Sequence, residues 1–139
     1  MEIQFALDEQ QIKDCFEVMV HLRPQYSQSA FVEQVQKQMQ QGYQLAFVRH
    51  NNRVVAVSGF VIGEKLAWGK HVYIDDLVTD PQARSCGAGK ALLDWIVEYG
   101  RGQQCQELHL DSGVQRFLAH KFYLREGMKI ASHHFSRSL

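Results

Sequence analysis

The segment Asp75–Lys90 carries the residues best suited to bind an anion, and it reads D-D-L-V-T-D-P-Q-A-R-S-C-G-A-G-K. An apolar run, Val72–Thr79, precedes a turn that contains proline, and a helix-like run, Lys90–Tyr99, follows the glycines. Glycines let the backbone approach a ligand closely, and the N–H groups of a first helical turn have no partner within the helix. The order of strand, glycine turn and helix therefore predicts a cradle for a phosphate-bearing cofactor.

The spacing of the glycines excludes two common phosphate-binding motifs. A Walker loop fails because Arg84 stands at its first glycine and Ala91, rather than Ser or Thr, follows Lys90. A dinucleotide fingerprint that begins at Gly87 would need a small residue at Leu92. The remaining pattern, R-x-x-G-x-G, resembles the pyrophosphate loop of the GNAT superfamily of acyl-CoA N-acyltransferases. A helix start whose glycines serve only a tight turn is the alternative interpretation.

A second segment resembles the same family. Residues 119–128 read A-H-K-F-Y-L-R-E-G-M, and GNAT members often carry A-x-x-F-Y-x-x-x-G-F near the end of the chain. Met128 replaces the last Phe, which exchanges one apolar residue for another. The stretch L-D-S-G-V-Q-R-F-L-A-H-K-F-Y is also similar to small bacterial members. Two motifs in the right order imply a GNAT acetyltransferase over nearly the whole chain.

The resemblance implies acetyl-CoA as acyl donor and places it along one continuous stretch. In the family a splayed strand exposes backbone groups to the pantetheine arm, much as it would to an added strand. The loop that follows binds the pyrophosphate, where the N-terminus of a helix favours an anion. The implied cofactor-binding residues are Leu77, Val78, Thr79, Arg84, Ser85, Cys86, Gly87, Ala88, Gly89 and Lys90.

Tyr123 lies at the position of the family's general acid, so the resemblance implies a catalytic role for it. A phenol with an ordinary pKa near ~10 can protonate a departing thiolate at neutral pH. The alternative is that Tyr123 only packs, with its hydroxyl hydrogen-bonded.

The general base is where this sequence departs from the family. Many members carry Glu four residues before the position of Leu77, and Tyr73 stands there instead. On a regular strand Asp75 shares the face of Tyr73, whereas Asp76 faces the other way and is the weaker candidate. A bulge would reverse that facing. Asp75 is interpreted as a catalytic base, as an anchor for a cationic acceptor or as a solvated carboxylate.

Composition sets the class of protein and of partner. With 139 residues, and 15 basic against 15 acidic side chains, the chain predicts one domain without the basic excess of a nucleic-acid binder. Three widely spaced cysteines predict free thiols in a reducing compartment, and no histidine spacing is typical of a zinc site, so no metal is expected. Neither a leader nor a membrane span is recognisable, so we expect a cytoplasmic protein without a membrane partner, as a monomer or homodimer.

Periodicity predicts the order βααβββαβαβ for a single GNAT-like domain, 1–139. The first helix begins with a capping box at Asp8–Gln11, Asn51–Asn52 predicts a hairpin turn and Gly63–Lys65 predicts the next turn. Hairpins in the middle and helical connections later favour an α/β (α+β) fold with a mixed, mostly antiparallel central sheet flanked by helices. The closing strand is predicted from Met128, Ile130 and Phe135.

The leading functional hypothesis is an N-acetyltransferase that moves an acetyl group from acetyl-CoA to a primary amine by direct attack in a ternary complex. A small-molecule amine is the favoured acceptor, with a peptide as the alternative. A covalent route is less attractive because no Cys–His–Asx set is evident. The rival hypothesis is a non-catalytic module of GNAT shape that binds or senses acyl-CoA. The missing strand Glu favours that rival, and Tyr123 disfavours it.

Overall fold

A computed structural model describes residues 1–139, which form two compact units, Met1–His109 and Leu110–Leu139. In chain order, the strands and helices are β1 (Glu2–Phe5), α1 (Glu9–Met19), α2 (Gln28–Met39), β2 (Gln44–His50), β3 (Arg53–Lys65), β4 (Gly69–Thr79), a 3₁₀ turn (Pro81–Cys86), α3 (Ala88–Gly102), β5 (Glu107–Leu110) and α4 (Phe117–Arg125). None of these helices is long and apolar enough to cross a membrane.

The sheet has the strand order β1-β2-β3-β4-β5, and β1 to β4 pair with their neighbours in antiparallel fashion. Asn51 and Asn52 adopt φ of 52° and 60°, which confirms the predicted hairpin turn between β2 and β3. The turn predicted at Gly63–Lys65 is wrong, because β3 continues through these residues and Lys65 pairs with Gly69. The positive φ that closes this hairpin is at Gly69, with φ of 66°.

One face of the sheet is covered by α1 and α2. The predicted capping box starts α1: the Asp8 carboxylate accepts from the Gln11 N–H at 2.8 Å, and the Gln11 side chain accepts from the Asp8 N–H at 3.3 Å. Apolar side chains at helical spacing on both helices then pack against alternate residues of β2 and β3, which is the main source of stability for this layer. The buried cluster includes Ile12, Cys15, Val18, Met19, Phe31, Val32, Val35, Leu45, Phe47, Val57 and Val78.

The other face is covered by α3. Leu92, Leu93 and Ile96 are buried on the sheet side of this helix. Aromatic rings from β1, β3 and α3 pack edge to face here, as in the contact between Phe5 and Trp95 with centroids 4.9 Å apart. The sheet is therefore sandwiched by helices within the first unit, and the predicted fold class is confirmed.

The second unit contains α4 and ends in residues without regular structure. The predicted closing strand does not form, so the element order ends in a helix: residues 129–139 are not in a strand, and Ile130 and Phe135 expose 76% and 90% of their surfaces. The alternation of apolar residues was a weak signal, because a strand also needs a neighbouring strand whose backbone groups accept its ladder. After α4, the Met128 N–H donates a hydrogen bond to the Tyr123 carbonyl at 3.0 Å.

Candidate active site

Strand β4 contains a bulge at Asp75. Gly59 of β3 pairs with Asp76, and the next residue, Phe60, pairs with Ile74. Asp75 is thus the extra residue of β4 and has no partner in the β3 register. A bulge of this kind bends the strand and re-aims the side chains next to it.

The bulge places Asp76 on the face of β4 that is covered by α1 and α2. Val57 of β3 belongs to the core beneath these helices, and Val61 packs against that core. Gly59 lies between them along the strand and therefore on the same face. Residues opposite one another in an antiparallel pair share a face, so Asp76 and Tyr73 lie on this face too. The expectation that Asp76 faces away from Tyr73 is therefore wrong, because it assumed a regular strand.

Asp76 is held from two sides. Its Oδ1 accepts from Arg23 Nε at 2.8 Å, and its Oδ2 accepts from the Tyr43 hydroxyl at 2.8 Å. Burial and, after it, the Asp76 charge raise the pKa of Tyr43 well above its ordinary value, so the phenol stays protonated and donates. Gly59 makes this contact possible, since a Cβ at that position would overlap the Tyr43 hydroxyl.

Side chains also satisfy the two carbonyls of the bulge. Arg23 Nη2 donates to the Asp75 carbonyl at 3.0 Å, and the Ser58 hydroxyl donates to the Asp76 carbonyl at 2.7 Å. Ser58 is fully buried, so its hydroxyl would be costly to leave unpaired. The bulge is consequently a structured feature, fixed by the segment after α1 and by the neighbouring strand β3.

A cavity of about 210 Å³ lies beside the bulge, within the first unit. Both aspartates contribute to its wall, opposite aromatic and amide side chains from the helices. Its lining residues are Met19, Arg23, Gln25, Tyr26, Phe31, Gln34, Val35, Gln38, Tyr43, Asp75 and Asp76.

Asp75 is the uncommitted carboxylate of this cavity. Its side chain accepts no hydrogen bond from another residue, and it is accessible to solvent. Partial burial and then the neighbouring Asp76 charge raise the pKa of Asp75, whereas Arg23 acts in the opposite direction. The group can therefore accept a proton or bind a cation, while Asp76 is already neutralised by the protein.

The predicted anion cradle lies at the start of α3, next to the end of β4. Asp80 anchors the turn between them: its side chain accepts from the Gln82 N–H at 2.9 Å and pairs with Arg53 at 3.2 Å. Gly87 precedes α3 in the left-handed region, with φ of 77°, and no side chain caps the helix. Within the first turn of α3, the Ala91 N–H donates to the Gly87 carbonyl at 3.0 Å.

The residues of this cradle suit a diphosphate group. The N–H groups of 88–90 lie in the first turn, where the helix dipole favours an anion. A Cβ at Gly89 would lie 2.9 Å from Thr79 Oγ1, so the glycine lets the helix approach β4. Arg84 is exposed and makes no ion pair within the protein, whereas the Lys90 ammonium pairs with Asp94 at 3.0 Å. Leu77–Thr79 at the end of β4 and the loop 84–90 are consecutive in the fold, and their role in binding CoA stays a prediction.

Tyr123 lies on α4 in the second unit. Its ring is half-buried beside Phe122, and its hydroxyl makes no hydrogen bond with another residue. Burial raises the pKa of Tyr123 and Arg116 opposes the shift, so the phenol is protonated at neutral pH. The role of Tyr123 as a general acid stays a prediction.

Several site residues carried no local signal in the sequence. Arg23 and Tyr43 lie 53 and 33 positions from Asp76, and only the fold brings them to it. The N-cap of α4 is Arg116, without a capping side-chain bond.

Sequence comparison assigns the protein to a family. Residues 10–128 match the family described as the acetyltransferase (GNAT) family. The chain therefore belongs to this family, and it is an acetyl-CoA-dependent acyltransferase. The predicted family, enzyme class and acyl donor are confirmed. No group of three or more metal-ligating side chains is arranged to hold a metal ion.

Individual relatives agree with this assignment. The chain is 30% identical over 126 residues to the uncharacterized N-acetyltransferase YhdJ of Bacillus subtilis (strain 168), covering 89% of each sequence. An acetyltransferase structure from Trypanosoma brucei is 25% identical, with a TM-score of 0.80 and 99% of each chain covered. The fold is also that of aminoglycoside N-acetyltransferase AAC(6')-Iy in complex with CoA, at 13% identity, a TM-score of 0.83 and coverage of 99% of this chain and 95% of that one.

Replacement of Gly87 by alanine should destabilise the protein through the backbone alone. No atom would contact the new Cβ within 4 Å, but φ of 77° is unfavourable for a residue with a side chain. We expect a loss of about 1–2 kcal/mol in the free energy of unfolding, measured by urea denaturation. Gly102→Ala is the matched control, since its Cβ also meets nothing within 4 Å and its φ is not positive. Equal stability of the two variants would contradict the backbone argument.

Proposed function

We propose that the protein transfers the acetyl group of acetyl-CoA to a primary amine of a small cationic molecule, by direct attack in a ternary complex. The observation that carries this proposal is the continuity of β4. The strand presents the free Asp75 carboxylate to a cavity, runs through Leu77–Thr79 and leads into the anion cradle at the start of α3. An acceptor site and a donor site thus adjoin along one strand.

The donor is proposed to lie along the end of β4 and the loop after it. When bound, acetyl-CoA supplies the acetyl group as an activated thioester. Backbone groups of Leu77–Thr79 that do not face β3 are suited to bond an extended pantetheine arm, as an added strand would. The pyrophosphate is assigned to the backbone N–H groups of 85–90 and to the Arg84 guanidinium, which supplies a charge-assisted bond.

Asp75 is proposed to bind or deprotonate the acceptor amine. A carboxylate free of protein partners can anchor an ammonium group directly, and it can receive the proton that the amine releases, either itself or through a water molecule. Its raised pKa brings its basicity closer to neutrality than that of an ordinary Asp. Asp76 is unsuited to either role because Arg23 and Tyr43 occupy both of its carboxylate oxygens.

Tyr123 is proposed to be the general acid. The leaving group of the transfer is a thiolate, and a protonated phenol can donate its proton to that sulfur. The free hydroxyl of Tyr123 and its position in the F-Y-x-x-x-G pattern support this role, and its raised pKa keeps the phenol protonated at neutral pH. A covalent cysteine route has little support: Cys15 is fully buried, and burial raises the pKa of its thiol to about 12.

A small acceptor is supported by the size and chemistry of the cavity. About 210 Å³ accommodates a small polyamine or amino sugar ring, with Tyr26 and Phe31 available for its carbon atoms and Asp75 for its charge. The aminoglycoside acceptor named for one structural neighbour is likewise a small cationic amine. A peptide amine is the other candidate, and the choice between them is made by substrate tests.

Amine acceptors with a second positive charge should be the best substrates, and Asp75 should be the reason. With 1,3-diaminopropane, cadaverine, glucosamine and the less charged analogue 3-aminopropanol, we expect release of free thiol from acetyl-CoA to be fastest for the diamines. If Asp75 is an anchor, Asp75→Asn raises KM for the diamines far more than for 3-aminopropanol. If Asp75 is the base, the variant lowers kcat/KM most at neutral pH, and higher pH partly restores it because more amine is already deprotonated.

Two outcomes would contradict this proposal. An Asp75→Asn enzyme that equals the wild type in KM and kcat/KM would make Asp75 a solvated carboxylate. CoA binding without thiol release for any of these amines, or for a peptide amine, would favour the acyl-CoA-sensing module over the enzyme.

Removal of the Arg84 side chain should weaken CoA binding. A charge-assisted bond to phosphate contributes on the order of 1.5–3 kcal/mol, so Arg84→Ala should raise the Kd for CoA about tenfold or more. Isothermal titration measures this directly. Arg53→Ala is the control. Arg53 pairs with Asp80, which anchors the same turn, so this variant disturbs the turn without removing the Arg84 side chain. An unchanged Kd in Arg84→Ala would remove Arg84 from the site.

Removal of the Tyr123 hydroxyl should slow the chemical step. We expect Tyr123→Phe to lower kcat by roughly 10²-fold while the Kd for CoA changes little, as the loss of a general acid predicts. Phe122→Leu is a suitable control on the same helix, because it perturbs packing beside Tyr123 without removing a proton donor. Full activity of Tyr123→Phe would leave Tyr123 as a packing residue.

A further inference from the structure

Arg23 makes a two-pronged contact that spans the bulge of β4. Its Nε donates to the carboxylate of Asp76 at 2.8 Å, and its Nη2 donates to the carbonyl of Asp75 at 3.0 Å. The Arg23 guanidinium therefore holds both the side chain of Asp76 and the backbone of Asp75. Because Asp75 is the extra residue of the bulge, this contact bears directly on where its side chain points.

The local sequence prepares Arg23 for this task. It follows α1, and its N–H still donates to the Met19 carbonyl at 2.9 Å, which ties it to the end of the helix. Pro24 restricts the backbone of the residue before it, so Arg23 leaves the helix in a defined direction. A lysine could not replace it, because an ammonium on a flexible stem does not offer two donors in a fixed planar fork.

The two aspartates consequently have different duties. Arg23 and the Tyr43 hydroxyl occupy both oxygens of Asp76, whose side chain is only 12% exposed. Asp75 keeps its carboxylate free at the cavity while its carbonyl is tied to Arg23. The charged or titratable groups around Asp75 are Asp76 on β4, Arg23 after α1, Tyr26 before α2 and Tyr43 before β2; α2 contributes only amides and apolar groups.

We propose that Arg23 is the positioning residue of the acceptor site, a role that rests on the proposed function: its guanidinium locks the β4 bulge so that the Asp75 carboxylate projects into the cavity. Arg23 itself remains bonded to Asp75 and Asp76 and acts on the acceptor through Asp75. The same positive charge favours the ionised form of Asp75, so Arg23 also extends the pH range in which Asp75 is a carboxylate.

The test separates the paired hydrogen bonds of the Arg23 guanidinium from its positive charge. Arg23→Gln removes both, whereas Arg23→Lys keeps the charge and loses the paired geometry. Arg49→Gln is the matched control, because Arg49 makes an ion pair with Asp14 at 3.5 Å and does not line the cavity. The first measurement is the titration of the Asp75 carboxyl carbon by ¹³C NMR in the protein without ligand, assigned by difference from Asp75→Asn.

We expect Arg23→Gln to raise the Asp75 midpoint by about 0.5 pH unit or more, since an opposing positive charge has gone. In Arg23→Lys the midpoint should stay near that of the wild type, but the amide signals of Asp75 and Asp76 should shift because the bulge has lost one bond. Arg49→Gln should change neither. An Asp75 midpoint that is equal in Arg23→Gln and wild type would overturn the proposal. If Arg23→Gln does not fold, unmoved amide signals in Arg23→Lys would do so.

Kinetics supply the second measurement. With 1,3-diaminopropane, Arg23→Lys should lower kcat/KM about tenfold at all pH values, because a displaced carboxylate misaligns the amine. The acid limb of the kcat/KM profile of Arg23→Gln should move to higher pH. A purely stabilising Arg23 would lower Tm but leave this limb and the KM unchanged, which would refute the positioning role. If the wild type releases no thiol, the proposed function fails, and the NMR titration alone still decides the role of Arg23.

Discussion

The site depends on how the protein accommodates the negative charge of Asp76 below its surface. A carboxylate with so little exposure is stable only when it is paired and hydrogen-bonded, and both of its oxygens have donors. These donors come from the segment after α1 and from the residue before β2, so the hydrogen bonds to one carboxylate join two regions to β4. Gly59 belongs to the same constraint, because its missing side chain leaves the space that the Tyr43 hydroxyl occupies.

The bulge in β4 determines where the two aspartates lie relative to the cavity. Without the extra residue in β4, the aspartates would alternate between the two faces of the sheet. With it, both aspartates line the same cavity, where Arg23 and Tyr43 pair with Asp76 and Asp75 has no hydrogen-bond partner in the protein. A short distance further on, β4 reaches the turn anchored by Asp80 and the uncapped start of α3. In the proposed function, the strand thus links two binding regions of opposite charge, an acidic one for the acceptor and a positive one for the donor.

Features set by neighbouring residues were predictable from the sequence, whereas those set by distant partners were not. The capping box at Asp8, the hairpin at Asn51–Asn52 and the glycine loop before α3 each depend on a few consecutive residues, and each was found. The bulge at Asp75 depends on Ser58 and Arg23, which are far along the chain, so the facing of Asp76 was predicted wrongly. The closing strand failed for a related reason: alternation indicates a strand, but its formation depends on an available neighbour.

The part of the cavity wall that α2 forms is held independently of the aspartates, which matters for how such a protein evolves. Gln34 and Gln38 of α2 line the cavity, and the side-chain bond between them, at 3.0 Å, involves neither Arg23 nor Asp76. Substitutions on this helix face can therefore alter the size and polarity of the chamber without disturbing the buried charge network across from it. In the proposed function, a lineage that carries this network can therefore diversify its choice of amine through α2 while the aspartates of β4 stay unchanged.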